Sequence, residues 1–385
     1  MMKSISGMSA RLGRRDWLKG CAAGALCLGG GAAFAQRNPG DYSVVLLGDT
    51  HYDTHPASVY HSHYDNDRKS EWLWRVQRAE FMRNGDMWAE RCPRLLKASA
   101  ACLPGDARFV LQLGDLVQGD CDDQPTHKRM LDDAMQLMKR AYSGNLPFVV
   151  VEGNHDIRGD GAREAYHAWS NATMGRELNQ TVASTTFSFR QGPDAWVVAD
   201  FSCPDPALIN RLVDETEGAR HLFLVTHGPL IFCDTGSFRW SLLGATKYDE
   251  ARRALIAKLL RRRAIVLAGH THMIDFKRVK SSEGELTQFI TSAVWTNEEM
   301  AFAKPRYTDP KDFGALNGPK LTDAKAREDF HVCLGEVAKD LKEYWFAYAA
   351  GHATLAVSDR SVTASFFPGD ARTPSQKFEL ASRKA

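Results

Sequence analysis

Five short apolar runs end in the same way. Run 42–47 gives way to Gly48-Asp49, and 109–113 to Gly114-Asp115. Run 148–151 leads to Glu152-Gly153-Asn154-His155-Asp156, 222–225 to Thr226-His227, and 265–268 to Gly269-His270-Thr271-His272. Each run is β-branched or Leu-rich, of strand length, and bounded by Gly and polar residues, which predicts five buried strands. Between them the period lengthens. Leu131, Ala134, Met135, Met138 and Tyr142 mark one helix face before Pro147, and Leu255, Ile256, Leu259 and Leu260 mark another, ending in Arg261-Arg262-Arg263. That basic end suits the negative pole of a helix better than a phosphate clamp. Strands alternating with helices predict an α/β fold with largely parallel, buried strands.

The remaining segments read as elaborations. Residues 68–101 predict one or two helices anchored by Trp72, Trp74, Phe81, Met82, Trp88 and Leu95. Residues 185–190 and 195–200 predict a hairpin about Gln191-Gly192-Pro193-Asp194, and 301–322 a loop. A helix is expected over about 323–348, and alternating strands over 352–357, 361–367 and 377–380.

Composition narrows the class. The chain has 385 residues, 44% hydrophobic and 25% charged, which suits one large or two smaller globular domains and excludes a disordered chain. Lys and Arg number 49 against 47 Asp and Glu. Residues 1–35 hold Lys3, Arg11, Arg14, Arg15 and Lys19 against Asp16 alone, so the rest is slightly acidic. That gives no electrostatic case for general nucleic-acid binding. Eight cysteines include Cys21 and Cys27 in the leader. The other six form no Cys-x-x-Cys pair, which weighs against a thiolate zinc site and leaves their pairing open.

The N-terminus reads as an address. Arg14-Arg15-Asp16-Trp17-Leu18-Lys19 precedes a small and apolar run closing on Ala33-Phe34-Ala35, a peptidase-like site. It resembles a bacterial twin-arginine signal, with Trp17 where that family has Phe. The resemblance implies recognition by the twin-arginine export machinery and a periplasmic or extracellular protein. The other reading is an uncleaved anchor, for which about 15 apolar residues fall short of the ~20 a span needs. No stable membrane span is expected after cleavage.

All five strand ends deliver Asp, Asn or His, and ligands of open α/β sheets bind at the carboxyl ends of strands. Alone, each would be a turn former or a satisfied core residue. Together they predict one polar cluster too large to bury without partners, since each unsatisfied group costs roughly 1–3 kcal/mol. A metal centre resolves that.

The order Asp49-x-His51, Gly114-Asp115, Gly153-Asn154-His155-Asp156, His227, Gly269-His270-x-His272 resembles the calcineurin-like metallophosphoesterase superfamily, with every motif complete. The resemblance implies a four-layer αββα sandwich, two mixed sheets flanked by helices, with helical insertions. It implies a core over 41–300 with an insertion at 55–105, a loop and helix insertion or lid over 301–350, and C-terminal strands over 351–385 completing the second sheet. It places Asp49, His51 and His272 on one metal, Asn154, His227 and His270 on a second, and Asp115 between them. The ions are divalent or trivalent, and ligands without cysteine suit iron, manganese or zinc. The implied activity is hydrolysis of a phosphomonoester or phosphodiester by a dimetal-bridged water or hydroxide. His155 is then expected near the leaving oxygen and Asp156 behind its ring.

The position of the metal-binding tyrosine of purple acid phosphatases holds Gln118, so a purple ferric centre is not expected. His55, His61, His63, Tyr64, Asp65 and Asp67 are candidates for the site mouth, against a solvated polar loop. Arg158 is a candidate phosphate contact or a surface residue. The alternative function is a non-catalytic metal-binding scaffold on the same fold, which requires a missing ligand.

Overall fold

Each of the five apolar runs forms a strand: β1 (Tyr42–Leu47), β2 (Ala107–Gln112), β3 (Phe148–Val150), β6 (Leu222–Thr226) and β7 (Ile265–Ala268). The hairpin is β4 (Phe187–Gln191) and β5 (Asp194–Ala199), turning at Gly192. The computed structural model describes residues 40–53, 88–89, 91–121, 123–144, 146–234, 237–238, 240–293, 307–313 and 324–383. The leader, most of the 55–105 insertion and parts of 294–323 lie outside them.

Two mixed sheets pack face to face. In the first, β1, β2 and β3 are parallel, and β11 (Gly351–Val357), β12 (Ser361–Pro368) and β13 (Gln376–Ser382) extend it antiparallel from β1. The second runs β10-β8-β9-β7-β6-β5-β4, where β8 is Ile274–Ser281, β9 Gly284–Ile290 and β10 Leu341–Ala347. Its strands β5, β6, β7 and β9 are parallel. The facing sides share one core in which Trp196 stacks on Phe223 at 3.9 Å and meets the edge of Phe109 at 5.0 Å.

Helices cover the outer faces. By the first sheet lie α1 (Cys92–Ala101), α2 (Gln124–Ala141) and α3 (Ala162–Leu178). By the second lie α4 (Pro206–Asp214), α5 (Asp249–Arg261) and α6 (Ala324–Ala338). Helix α2 starts where the Asp123 carboxylate caps the Thr126 amide and ends on Lys139 and Arg140, as the helix dipole favours. Its buried stripe of Met130, Leu131, Ala134, Met135 and Met138 is the face expected from the sequence. The basic end of α5 is structural too: Arg261 pairs with Glu283, and Arg262 donates to the Val213 and Thr216 carbonyls.

Two expectations are corrected, and one hairpin is added. The helix expected to 348 stops at Ala338, and Leu341–Ala347 is a strand, because Tyr344, Trp345 and Phe346 fill a pleated edge against β8. The C-terminal strands join the first sheet, and the second is completed by β10. The β8–β9 hairpin was hidden by its charges. Asp275, Lys277 and Arg278 look like loop, yet all three are buried because Lys277 pairs with Asp275 and Arg278 with Glu285 and Glu343. Residues Asn38–Ala385 form one compact unit. Among the described residues no helix is long and apolar enough to cross a membrane.

Candidate metal centre

The parallel order β1, β2, β3 in one sheet and β5, β6, β7 in the other brings the carboxyl ends of both sets to one crevice. Asp49 and His51 follow β1, Asp115 follows β2, Asn154 and His155 follow β3, His227 follows β6, and His270 and His272 follow β7. Asp49, His51, Asp115 and His227 are fully or almost fully buried.

The donor atoms converge. His227 Nε2 lies 3.2 Å from Asp115 Oδ2 and 3.1 Å from His270 Nδ1. His51 Nε2 lies 3.6 Å from the same Asp115 oxygen and 3.2 Å from His272 Nε2. His272 Nε2 is 3.8 Å from Asp49 Oδ1. These contacts make two donor sets, Asp49–His51–Asp115–His272 and Asp115–His227–His270, which share Asp115.

The backbone is strained to achieve this. Asp49 (φ 50°), His51 (46°), Asp115 (53°), His270 (71°) and His272 (52°) all lie in the left-handed region. Each such residue costs on the order of 1–2 kcal/mol outside glycine. Loop-to-loop hydrogen bonds hold them: the amides of Asp49 and His51 donate to the carbonyls of Gly114 and Asp115, and Gly269 donates to His227. Two glycines are needed for the close approach. A Cβ on Gly114 (φ +92°) would sit 2.3 Å from His227 Nδ1, and one on Gly153 would sit 2.1 Å from the Asp115 amide nitrogen. Gln112 braces the second loop by accepting from the Gly114 amide and donating to its carbonyl.

Outer partners orient the donors. His227 Nδ1 donates to the Leu113 carbonyl at 2.7 Å, which leaves Nε2 facing the cluster. The Asp115 Oδ1 atom accepts from the His155 amide, and Asp49 Oδ1 from the His270 amide. Asp49 Oδ2, His51 Nδ1 and Asn154 Oδ1 are buried atoms with no hydrogen-bond partner. The Asp49 carboxylate, 4.0 Å from His227 and 3.8 Å from His272, thus keeps an oxygen with free lone pairs among imidazoles, the condition that cations relieve.

The electrostatics agree. Burial, reinforced by Asp115 and opposed by His227, pushes Asp49 up to about 7. Burial acts the same way on Asp115, but His227 and His155 override it and hold that carboxyl well below the usual range. Burial would depress His227, yet Asp115 raises it to about 9. Burial and the neighbouring His227 push His270 down to about 3. An oxygen and nitrogen donor set of this kind fits hard or borderline cations such as Mn, Fe or Zn.

His155 stands edge-on to His51, ring centres 4.4 Å apart. Its Nδ1 donates to the Gln118 carbonyl at 2.9 Å, which fixes the orientation of the ring. The expectation that Asp156 holds this ring is corrected. The buried Asp156 carboxylate accepts from the amides of Val117 and Gly153 instead, tying the β2 loop to the β3 loop. Nor does it cap the next helix, whose N-cap is Gly161. Arg158 pairs with Asp120 at 2.8 Å, and its guanidinium comes within 3.1 Å of His155 Nδ1. His55, His61, His63, Tyr64, Asp65 and Asp67 lie outside the described residues.

Sequence reasoning missed the aromatic wall. Phe201 packs against His227 and His270 at 5.2 and 5.7 Å, and Trp240 lies 5.8 Å from His270. Neither follows a motif, so no signal in the chain marks them. No disulfide joins any of the six described cysteines.

A sequence model of the calcineurin-like phosphoesterase family matches residues 42–273, more than half of the chain. No curated protein matches it by sequence. Among solved structures, the purple acid phosphatase PPD1 from yellow lupin (Lupinus luteus) seeds aligns with a TM-score of 0.51 at 10% identity, over 89% of this chain and 54% of that one. The chain thus spans about half the length of the lupin protein, and the likeness is one of fold. PhoD aligns with a TM-score of 0.49 at 11% identity, over 90% and 73% of the two chains. GAP50, the anchor in the inner membrane complex of Plasmodium, gives 0.45 at 10% identity, over 89% and 90%.

Proposed function

Because the chain belongs to the calcineurin-like phosphoesterase family, we propose that it is a metal-dependent hydrolase of phosphoric ester bonds with a dinuclear centre in the crevice just described. The observation that carries this is the pair of donor sets sharing Asp115, with an unpartnered buried oxygen on Asp49. Asp49, His51 and His272 would hold one ion, Asn154, His227 and His270 the other, and Asp115 both. Two such ions, when bound, acidify a water so that a nucleophile exists near neutral pH, and they offset the charge of the phosphate.

The chain's own residues do the rest. The Leu113 carbonyl fixes the His227 tautomer, and the left-handed loops hold the donors in place before substrate arrives. His155, anchored through Nδ1 on the Gln118 carbonyl, would present Nε2 to the departing ester oxygen as the proton donor. Asp156 acts as a positioning residue, holding Gly153 and hence Asn154 against the β2 loop. The leader residues Arg14 and Arg15 support export by the twin-arginine route to the periplasm or beyond. The scaffold alternative needs a missing ligand, and every ligand position is filled.

The test strips the protein with a chelator, reloads it with Mn, Fe or Zn, and assays 4-nitrophenyl phosphate and bis(4-nitrophenyl) phosphate. Turnover should return with metal and be abolished by Asp115→Asn. His155→Ala should lower kcat by about 10²–10⁴-fold while metal is retained. Reloaded protein inert on both esters would overturn the hydrolase and favour the scaffold.

A further inference from the structure

A cavity of about 510 Å³ opens beside Asn154, within the ~300–1,000 Å³ range of small-molecule sites. Its aromatic wall is continuous with the candidate metal centre, since Phe201 and Trp240 both pack on His270. Trp240 is 53% exposed, an unusual state for the largest apolar side chain. A ring laid open beside a polar crevice is a stacking platform.

Charge is one-sided. None of the described residues lining the cavity is acidic, while Arg158, Arg163 and Lys247 all line it. Arg158 is neutralised by Asp120 at 2.8 Å. Among the described residues Arg163 is paired only with Glu152, at 3.9 Å and beyond hydrogen-bond reach. Lys247 has its ammonium 4.7 Å over the Tyr248 ring and no carboxylate beside it among the described residues. The scissile phosphate would occupy the dinuclear centre and leaves most of this volume unfilled. Lys247, Arg163 with its long ion pair, and an open indole therefore line one space beside the candidate metal centre.

We propose that the preferred substrate is an organic phosphate carrying a planar ring system, which stacks on Trp240, and a second anionic group, which pairs with Lys247 and Arg163. Nucleotide-like phosphates have this chemistry, and glycerol-type phosphates lack it. The inference rests on the hydrolase reading above and adds to it a specificity site outside the metal ligands.

The experiment uses the metal-loaded full chain and whichever chromogenic ester it turns over. Glycerol 3-phosphate, adenosine 5′-monophosphate and adenosine 3′,5′-bisphosphate are compared as competitive inhibitors, a readout indifferent to whether the enzyme prefers monoesters or diesters. Inhibition constants should tighten in that order. Trp240→Ala should shrink the ratio between the monophosphate and glycerol 3-phosphate by about tenfold, the range of one ring–base stack. Trp240→Phe should keep most of that ratio. Lys247→Ala should shrink the ratio between the bisphosphate and the monophosphate by about fivefold, and 0.5 M salt should do the same to the wild type. Trp240 and Lys247 are surface residues, and a circular dichroism melt checks that the variants fold. Ratios unchanged within twofold in an active enzyme would overturn this inference alone. Loaded protein inert on both chromogenic esters would overturn the hydrolase reading and this inference with it.

Discussion

Gly114→Ala should cripple the centre without touching a ligand. The added Cβ would lie 2.3 Å from His227 Nδ1. Carbon and nitrogen rest near 3.5 Å, so the ring must retreat by about 1 Å. That retreat breaks the 2.7 Å bond from Nδ1 to the Leu113 carbonyl. Leaving those buried groups unpaired costs about 1–3 kcal/mol. Placing alanine at φ +92° adds about 1 kcal/mol. The ion-free variant should therefore unfold in urea with about 2–4 kcal/mol less stability. Loss of an orienting partner should weaken binding of the second ion by about 10–100-fold in a calorimetric titration. Gly144→Ala is the control. It has φ +72° and nothing within 4 Å of its Cβ, so it carries the backbone strain alone. It should lose about 1 kcal/mol and bind metal as the wild type does. If both variants bind metal like the wild type, the outer carbonyl does not set the His227 geometry and the reasoning fails.

Three further outcomes follow from the structure. Asp156→Ala should weaken metal binding as well as lower kcat, because its carboxylate holds the β3 loop rather than the His155 ring; a fall in kcat with metal affinity intact would restore the ring-orienting role. Lys277→Met should cost about 3–5 kcal/mol in urea unfolding, since it leaves the Asp275 carboxylate buried and uncompensated, and a loss under 1 kcal/mol would refute that. His352 is fully buried with both ring nitrogens unpartnered, and burial pushes it from 6.5 down to about 3. The unfolded chain then binds the extra proton, so this contribution is whole above pH 6.5 and lost as pH falls toward 3. Between pH 6 and 4 the wild type should lose up to ~1.4 kcal/mol per pH unit more than His352→Leu, and equal slopes would contradict it.

The motif-bearing strands are legible because they obey one rule, an apolar run followed at once by a polar residue. Asp49, Asp115, His227 and His270 stand where the strand ends β1, β2, β6 and β7 require. Charge hid β8, since nothing local says that Lys277 will find Asp275 inside the core. Leu341–Ala347 continues the apolar content of α6, and only pairing with β8 makes it a strand. At the site, residue types give the donors but not their geometry. The left-handed backbone of His51 or His272 is imposed by loop-to-loop hydrogen bonds, and no local propensity favours it. The position of Asp156 misled for the same reason: neighbouring His155 in the chain, it points to amides 39 and 3 residues away. Trp240 belongs to no motif and reaches the centre only through the fold.

The central claim is that one carboxylate, Asp115, serves two ions. The most direct measurement is anomalous diffraction from crystals of the full chain loaded with Mn or Zn, with data on both sides of the metal edge. The account predicts two peaks about 3.5–4 Å apart. One should lie among Asp49, His51 and His272, the other among Asn154, His227 and His270, and both within bonding distance of Asp115. A single peak at full loading, or two peaks of which only one touches Asp115, would contradict it.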